Sequence, residues 1–167
     1  AVAQLDAEIE DPQLRDLNVV GTLGQVVKLL EMPDGTTTAI IQGRRRVSIM
    51  NVLQTVPYMT AHVKAIPESR GGEEEKDFDV IIGSLKDLSV KIVKLNPNIN
   101  PEASFAVKNI ENSTYLINYI CANTEINVND KQKLLEATTL RERGMRLLEH
   151  LVREIQLLEL KNELQSK

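Results

Sequence analysis

A tight turn between two apolar segments is the feature that most constrains how this chain can fold. Pro33 presets φ, the Asp34 side chain can bond its own backbone, and Gly35 accepts a positive φ. Before the turn, apolar residues are frequent between positions 23 and 32, which predicts a strand buried on both faces. Residues 36–41 return as a β-branched strand. Together these features predict a β-hairpin.

Further strands are predicted beyond the hairpin. Gly43 is expected to end the second strand before the arginines at residues 44–46. Residues 47–56 and 58–66 then predict two more strands, and the last one alternates polar and apolar side chains. Residues 1–68 are therefore interpreted as a small β-rich subdomain.

The hydrophobic period changes in the second half of the chain. Residues 69–76 are interpreted as a charged linker with an acidic run, and residues 77–167 as an α-helical subdomain with apolar residues three and four apart. Helix starts are predicted at residues whose side chains can cap a helix, namely Asn100, Ser113, Asn129 with Gln132, and Thr139 with Glu142.

The last predicted helix is long. Its inner stripe carries apolar residues, namely Leu148, Leu151, Ile155 and Leu158. The stripe turns polar at Asn162, so the helix is expected to leave the domain body. Because strands precede helices without alternating with them, the predicted class is α+β rather than a doubly wound parallel sheet.

The composition excludes several classes of protein. A net charge of −4 argues against a protein that coats nucleic acid or an anionic membrane. Aromatic residues make up 3% of the chain, so a base-stacking surface is poorly supplied. One cysteine excludes an internal disulfide framework, and no apolar run is long enough to span a membrane. We therefore expect a soluble cytoplasmic protein that does not act on membranes.

No catalytic or metal site is predicted. The glycines near residue 21 lack the lysine and the spacing of a phosphate loop. His62 and His150 lie in different subdomains without companion ligands, so no metal is expected. Cys121 falls on an apolar helix stripe, where a thiol acts as a small hydrophobic group. The arginines at residues 44–46 would give at most weak, salt-sensitive binding of nucleic acid.

Apolar residues at predicted turns are the best candidates for contacts with a partner. Met32 and Pro33 lie at the hairpin tip, and Val56, Pro57 and Tyr58 lie where two strands join. Methionine and tyrosine suit adaptable contacts with varied partners. The same residues could instead pack against the helical subdomain, and the sequence leaves both interpretations open.

Several motifs in a fixed order resemble the N-terminal domain of bacterial Lon proteases, which are ATP-dependent. In the first half they are Glu10-Asp11-Pro12, Gly21-Thr22, Pro33-Asp34-Gly35 and the Gly-x-x-Arg step from Gly43 to Arg46. In the second half they are the lysine-glutamine-x-leucine-leucine-glutamate step at residues 131–136, Arg153-Glu154-Ile155 and Leu158-Glu159-Leu160. The resemblance covers nearly the whole chain, with residues 1–6 matching the family's second strand and the first strand and helix missing.

The resemblance implies a fold and a function. The β-rich subdomain would be PUA-like, with Gly35, Gly43 and Arg46 in structural roles. The chain would be a non-catalytic domain that recognises unfolded, damaged or degron-bearing proteins and helps to assemble a hexamer. The serine-lysine dyad would lie in later domains of the parent, and ATP and magnesium would bind there, so no cofactor is expected here.

Two other functions were weighed against this one. A free-standing PUA-like module could bind RNA or a small ligand, although a similar fold alone is weak evidence for a shared function. The long last helix argues against such a module. An enzyme that acts by itself is the least supported class, because no catalytic constellation appears in the sequence.

Overall fold

The computed structural model describes residues 1–71 and 75–167, and for Glu75 the backbone alone. The chain divides into two compact units, Ala1–Pro67 and Glu68–Lys167, called here the β unit and the helical unit. Within the described residues the regular elements are β1 (Val20–Glu31), β2 (Thr37–Gln54), β3 (Thr60–Ala65), α1 (Glu75–Leu95), α2 (Glu102–Asn109), α3 (Ser113–Asn123), α4 (Val128–Glu136) and α5 (Leu140–Gln165). The predicted α+β class, with strands first and a long helix last, is confirmed.

The strands form one antiparallel sheet in the order β1-β2-β3, and the predicted turn joins the first two. The backbone N–H of Gly35 donates to the carbonyl of Met32 at 2.9 Å, and Gly35 has a φ of 83°. The Asp34 carboxylate accepts hydrogen bonds from the hydroxyl and the backbone N–H of Thr36, and these bonds lower the pKa of Asp34. The turn is therefore stabilised by its own side chains.

Gly43 does not end the second strand, contrary to the sequence prediction. β2 runs without a break for 18 residues. It contains a β-bulge beside Gly43, because Leu23 pairs with Arg45 and Gly24 pairs with Gly43, which leaves one extra residue on β2. A Cβ on Gly43 would lie 3.2 Å from Cγ2 of Thr22. The glycine therefore permits a close approach across the sheet instead of breaking the strand.

The prediction that residues 23–32 are buried on both faces is wrong. β3 pairs with β2 over residues 47–54, so residues 23–46 form a two-stranded ribbon. Most side chains of this ribbon are exposed, including those of Leu23, Val26 and Leu29. The density of apolar residues correctly indicated a strand, but burial also requires a layer on each face, and within the β unit no other element supplies one.

Residues 1–6 do not form the expected strand. Gln4 makes an isolated bridge with Leu17, and the carbonyl of Ala1 accepts a hydrogen bond from the N–H of Thr22 at 2.8 Å. This segment lies beside the start of β1 and is held by a few separate hydrogen bonds rather than by a continuous ladder.

Of the four predicted helix caps, Thr139 is confirmed, and its hydroxyl accepts from the N–H of Glu142 at 3.1 Å. The Asn100 side chain accepts from the N–H of Glu102 at 2.9 Å, but the residue that flanks α2 is Pro101. α3 is capped by Asn112 rather than Ser113, and α4 by Asn127 rather than Asn129. The errors at α3 and α4 have one cause, because two residues that can cap a helix lie close together and the sequence does not rank them.

The main core of the structure lies in the helical unit, where α1 and α5 pack along each other. The residues buried most completely are Leu85, Leu116, Ile117, Leu134, Leu147 and Leu151. At the crossing of α1 and α5, a Cβ on Gly144 would lie 2.8 Å from Cγ2 of Ile81. Gly144 therefore allows the two helices to approach closely.

The last helix does not leave the domain body where its stripe turns polar. The side-chain amide of Asn162 donates a hydrogen bond of 3.2 Å to the carbonyl of Leu95, the last residue of α1. The polar residue on the inner stripe thus satisfies a carbonyl at a helix end, where four carbonyls lack intrahelical partners. The prediction of a departing helix is wrong, because a polar side chain on an inner stripe can bond a helix-end carbonyl instead of facing solvent.

A short segment before α1 is fixed to the start of α5. The carbonyls of Ser69 and Arg70 accept hydrogen bonds from the N–H groups of Leu140 and Arg141 at 2.7 and 2.9 Å. Gly71 has a φ of 70°, where L side chains are strained. Residues 72–74 of the predicted linker lie outside the described residues, and they include Glu73 and Glu74 of the acidic run. The remaining linker residues Glu75 and Lys76 belong to α1.

Candidate functional site

The tip of the β1–β2 hairpin exposes the first pair of candidate contact residues. Met32 follows Glu31, the last residue of β1, and Pro33 begins the turn, and both side chains are exposed. Because the turn is closed by backbone and Asp34 hydrogen bonds, the two apolar side chains are held at the end of the ribbon.

The turn between β2 and β3 exposes the other three candidates. Val56 is 80% exposed and Tyr58 is 67% exposed, and Pro57 between them is also exposed. The peptide bond between Val56 and Pro57 is cis. We call Val56, Pro57 and Tyr58 the turn patch. Three consecutive exposed apolar residues are unusual for a turn, since turns are mostly polar.

The structure does not bring the two groups of candidates together. Met32 and Pro33 precede the first residue of β2, and the turn patch follows its last residue. With a rise of about 3.3 Å per residue, an extended strand of 18 residues spans at most about 60 Å between them. The five residues proposed from sequence therefore form two separate contact points on the β unit.

An apolar surface that the sequence did not indicate lies along the ribbon. Val26 pairs with Ile41 and Leu29 pairs with Ala39, and partners in an antiparallel pair project to the same face. Ala39 and Ile41 are two residues apart on β2, so all four side chains share one face. We call these four residues the ribbon patch. All four are exposed, Leu29 to 64%.

The register of the hairpin is the signal that could have revealed the ribbon patch. A short loop at residues 33–35 restricts how the flanking strands can pair. Counting back from such a loop places Leu29 opposite Ala39, as observed, and Val27 opposite Ile41. The bulge between Val26 and Lys28 instead makes Val26 the partner of Ile41, and simple counting does not reveal it. The contact between Gly24 and Ile41 supports this arrangement, because a Cβ on Gly24 would lie 2.7 Å from Cγ2 of Ile41.

The arginine run does not form one exposed basic patch. Arg46 is 6% exposed, and Arg44 donates a hydrogen bond of 2.9 Å to the Gln25 side chain. A continuous nucleic-acid surface would need several accessible cations in a row. The geometry therefore gives the alternative of an RNA-binding module little support.

No chemical centre is found in the part of the chain that the structure describes. No group of three or more histidine, cysteine, aspartate or glutamate side chains there could hold a metal ion. Burial raises the pKa of the Cys121 thiol to about 11, so it is a poor nucleophile at neutral pH. The contact surfaces described above remain the candidate site.

The sequence model of one protein family matches most of this chain. The model of the ATP-dependent protease La (LON) substrate-binding domain matches residues 1–153. The chain belongs to this Lon family. The Lon protease of Flavobacterium johnsoniae is 43% identical over 99% of the chain, and that of Porphyromonas gingivalis is 37% identical over 100% of it. In both cases the chain spans 20% of the relative's length.

Solved structures of Lon N-terminal domains share this fold. The N-terminal domain of a Lon protease from the Mycobacterium avium complex superposes with a TM-score of 0.70 at 17% identity, covering 91% of this chain and 89% of that one. A Lon N-terminal domain protein from Xanthomonas campestris has a TM-score of 0.53 at 12% identity, covering 82% and 70%. Among the described residues of this Lon domain, no helix has the length and apolarity needed to cross a bilayer.

Proposed function

We propose that this Lon domain recognises protein substrates through exposed apolar residues of its β unit. The observation that carries the proposal is the solvent exposure of the ribbon patch, of Met32 at the hairpin tip and of the turn patch. Apolar residues exposed together mark interaction surfaces in soluble proteins. Unfolded or damaged proteins expose apolar segments that native proteins bury, so they are the partners such surfaces fit.

Recognition of this kind is weak at each contact and is strengthened by repetition. Partial burial of one side chain contributes about 1 kcal/mol, so a single domain would bind an unfolded chain loosely. Contact points at opposite ends of an 18-residue strand suit an extended polypeptide better than a small ligand. In a hexameric parent, six copies would raise the effective concentration of contact points without any new contact.

The remaining steps of proteolysis belong to other parts of the proposed parent. Peptide cleavage by a serine-lysine dyad and hydrolysis of ATP with magnesium are proposed for domains beyond this chain. Recognition through apolar side chains needs no cofactor. A single cysteine fits a reducing compartment, and we propose the cytoplasm as the place of action.

Separate substitutions at the two ends of β2 test the proposal. Met32→Ser and Tyr58→Ser are each expected to weaken binding of reduced, carboxymethylated lactalbumin by severalfold, since each removes partial burial of one apolar side chain. Val128→Ser is a matched control, because Val128 is an exposed apolar residue of the helical unit. Isothermal titration or fluorescence anisotropy gives the affinities, and circular dichroism checks each fold.

The dependence on salt separates apolar from electrostatic recognition. Binding through apolar side chains is expected to persist at high ionic strength, because the screening of charges does not weaken it. Undiminished binding in the combined Met32→Ser and Tyr58→Ser variant would contradict the proposal, as would loss of binding on addition of salt alone.

A further inference from the structure

A groove lined mainly by lysines runs along the outer side of α1 in the helical unit. It has a volume of about 310 Å³ and is lined by Lys86, Asp87, Val90, Lys91, Lys94 and Lys108. The first five residues belong to α1, and Lys108 comes from the last turn of α2. Four of the six lining residues are lysines in a chain whose net charge is −4.

Two of the lysines have structural partners among the described residues, and for the other two no carboxylate partner is found there. The Lys91 ammonium lies 2.6 Å from the Glu159 carboxylate of α5, and the Lys86 ammonium donates to the carbonyl of Lys108 at 3.2 Å. Among the described residues, no carboxylate lies within 4.0 Å of the ammonium groups of Lys94 and Lys108. Lysines gathered on one face repel each other, so a bound anionic group would relieve this repulsion.

An apolar anchor accompanies the positive charge. Val90 lies between the lysines and is half-buried. Phe105 on α2 is 72% exposed and precedes Lys108 by three residues, so the two side chains are neighbours on the helix surface. The other phenylalanine of the chain, Phe78, is 6% exposed. Aromatic side chains, including those of phenylalanine, are enriched at protein interfaces.

We infer that this groove binds an acidic polypeptide segment that carries an apolar residue among its carboxylates. The carboxylates would face Lys94 and Lys108, and the apolar side chain would contact Val90 and Phe105. An inorganic polyphosphate fits less well, because it offers no apolar group to Val90. A nucleic acid fits less well because successive bases would need several aromatic faces, and none of the lining residues is aromatic.

This surface differs from the substrate surfaces proposed for the β unit in its position and its chemistry. The groove lies within the helical unit, and its recognition is expected to depend on salt, whereas apolar recognition by the β unit is not. Either surface can therefore fail in experiment without affecting the other.

Charge reversal tests the inference on the purified chain. The probe is a fluorescein-labelled peptide in which glutamates alternate with leucines, and binding is followed by fluorescence anisotropy. The Lys94→Glu and Lys108→Glu double variant is expected to bind the peptide about tenfold more weakly. The Lys64→Glu and Lys161→Glu double variant is the matched control, because it changes the net charge equally at exposed positions outside the groove.

The apolar anchor is tested separately. Phe105→Ser is expected to weaken binding severalfold while leaving its salt dependence unchanged. Equal losses of peptide affinity in the two double variants would overturn the inference. They would show that the peptide responds to the net charge of the protein rather than to the groove. Tighter binding of inorganic tripolyphosphate or of single-stranded DNA than of the peptide would overturn the assignment of a polypeptide partner.

Discussion

At the scale of single residues, Arg143 connects more parts of the helical unit than any other side chain described above. Its guanidinium donates to the carbonyl of Leu134 at 3.0 Å, to the side chain of Asn118 at 2.9 Å and to that of Glu68 at 3.5 Å. Arg143 is 2% exposed. The planar, forked guanidinium serves acceptors from three segments at once, which a lysine ammonium on a flexible stem would not.

Removal of this side chain is expected to destabilise the domain strongly. Arg143→Ala leaves the buried Leu134 carbonyl without this donor and opens a cavity, and we expect a loss of about 3 kcal/mol in the free energy of unfolding. Arg146→Ala is the control, because Arg146 lies nearly one turn away and makes an exposed ion pair with Glu142. Urea denaturation followed by circular dichroism measures both variants. Equal, small losses would show that the buried network contributes little.

At the scale of elements, two glycines in helices have opposite surroundings. Gly144 of α5 faces Ile81 of α1, where an added Cβ would lie 2.8 Å from a methyl group. Gly83 of α1 has no atom within 4 Å of an added Cβ. Since glycine is a weak helix former in both positions, only Gly144 has a reason in packing to be present.

Alanine at these two positions is expected to change stability in opposite directions. Gly144→Ala forces α1 and α5 apart, and we expect it to destabilise the domain by about 1–3 kcal/mol. Gly83→Ala reduces the freedom of the unfolded chain and is expected to stabilise it by about 0.5–1 kcal/mol. Thermal melts of the two variants beside the parent chain test this, and a stabilised Gly144→Ala variant would contradict the close packing of these helices.

The order and type of the elements could be predicted from sequence, as could the buried stripe of α5 with Leu151 and Ile155, whereas the burial of the hairpin strands could not. Local signals were sufficient for the turn at residues 33–35 and for the cap at Thr139, because each depends on neighbouring residues. Burial of residues 23–32 and the course of α5 depend on which element lies opposite. The positions of Met32 and Tyr58 in turns were likewise predictable, but their separation along β2 and the ribbon patch were not, since both depend on strand register and length.

At the scale of the whole molecule, apolar burial is distributed unevenly. Among the described residues, the buried apolar core belongs to the helical unit apart from Val47, while the β unit leaves most of its large apolar side chains exposed. A two-stranded ribbon is at best marginally stable in water by itself, and its free edge can pair with another chain.

We therefore expect this chain to associate with itself through the ribbon. Sedimentation velocity over a range of concentrations should show reversible association, and lysine at Leu29 and Ile41 should reduce it by placing charge on the apolar face. Lysine at Val80, an exposed apolar residue of α1, is the control. Monomers at all concentrations, or equal association in every variant, would contradict this expectation.

Hydrogen bonds to other segments hold α5 near both of its ends. It has 26 residues and a length of about 39 Å. Residues 69 and 70 hold its first turn through the backbone, and Asn162 holds its far end to the end of α1. Because α1 and α5 also pack along each other between these two points, a force on the last turn of α5 is shared with α1 before it reaches residues 69–71.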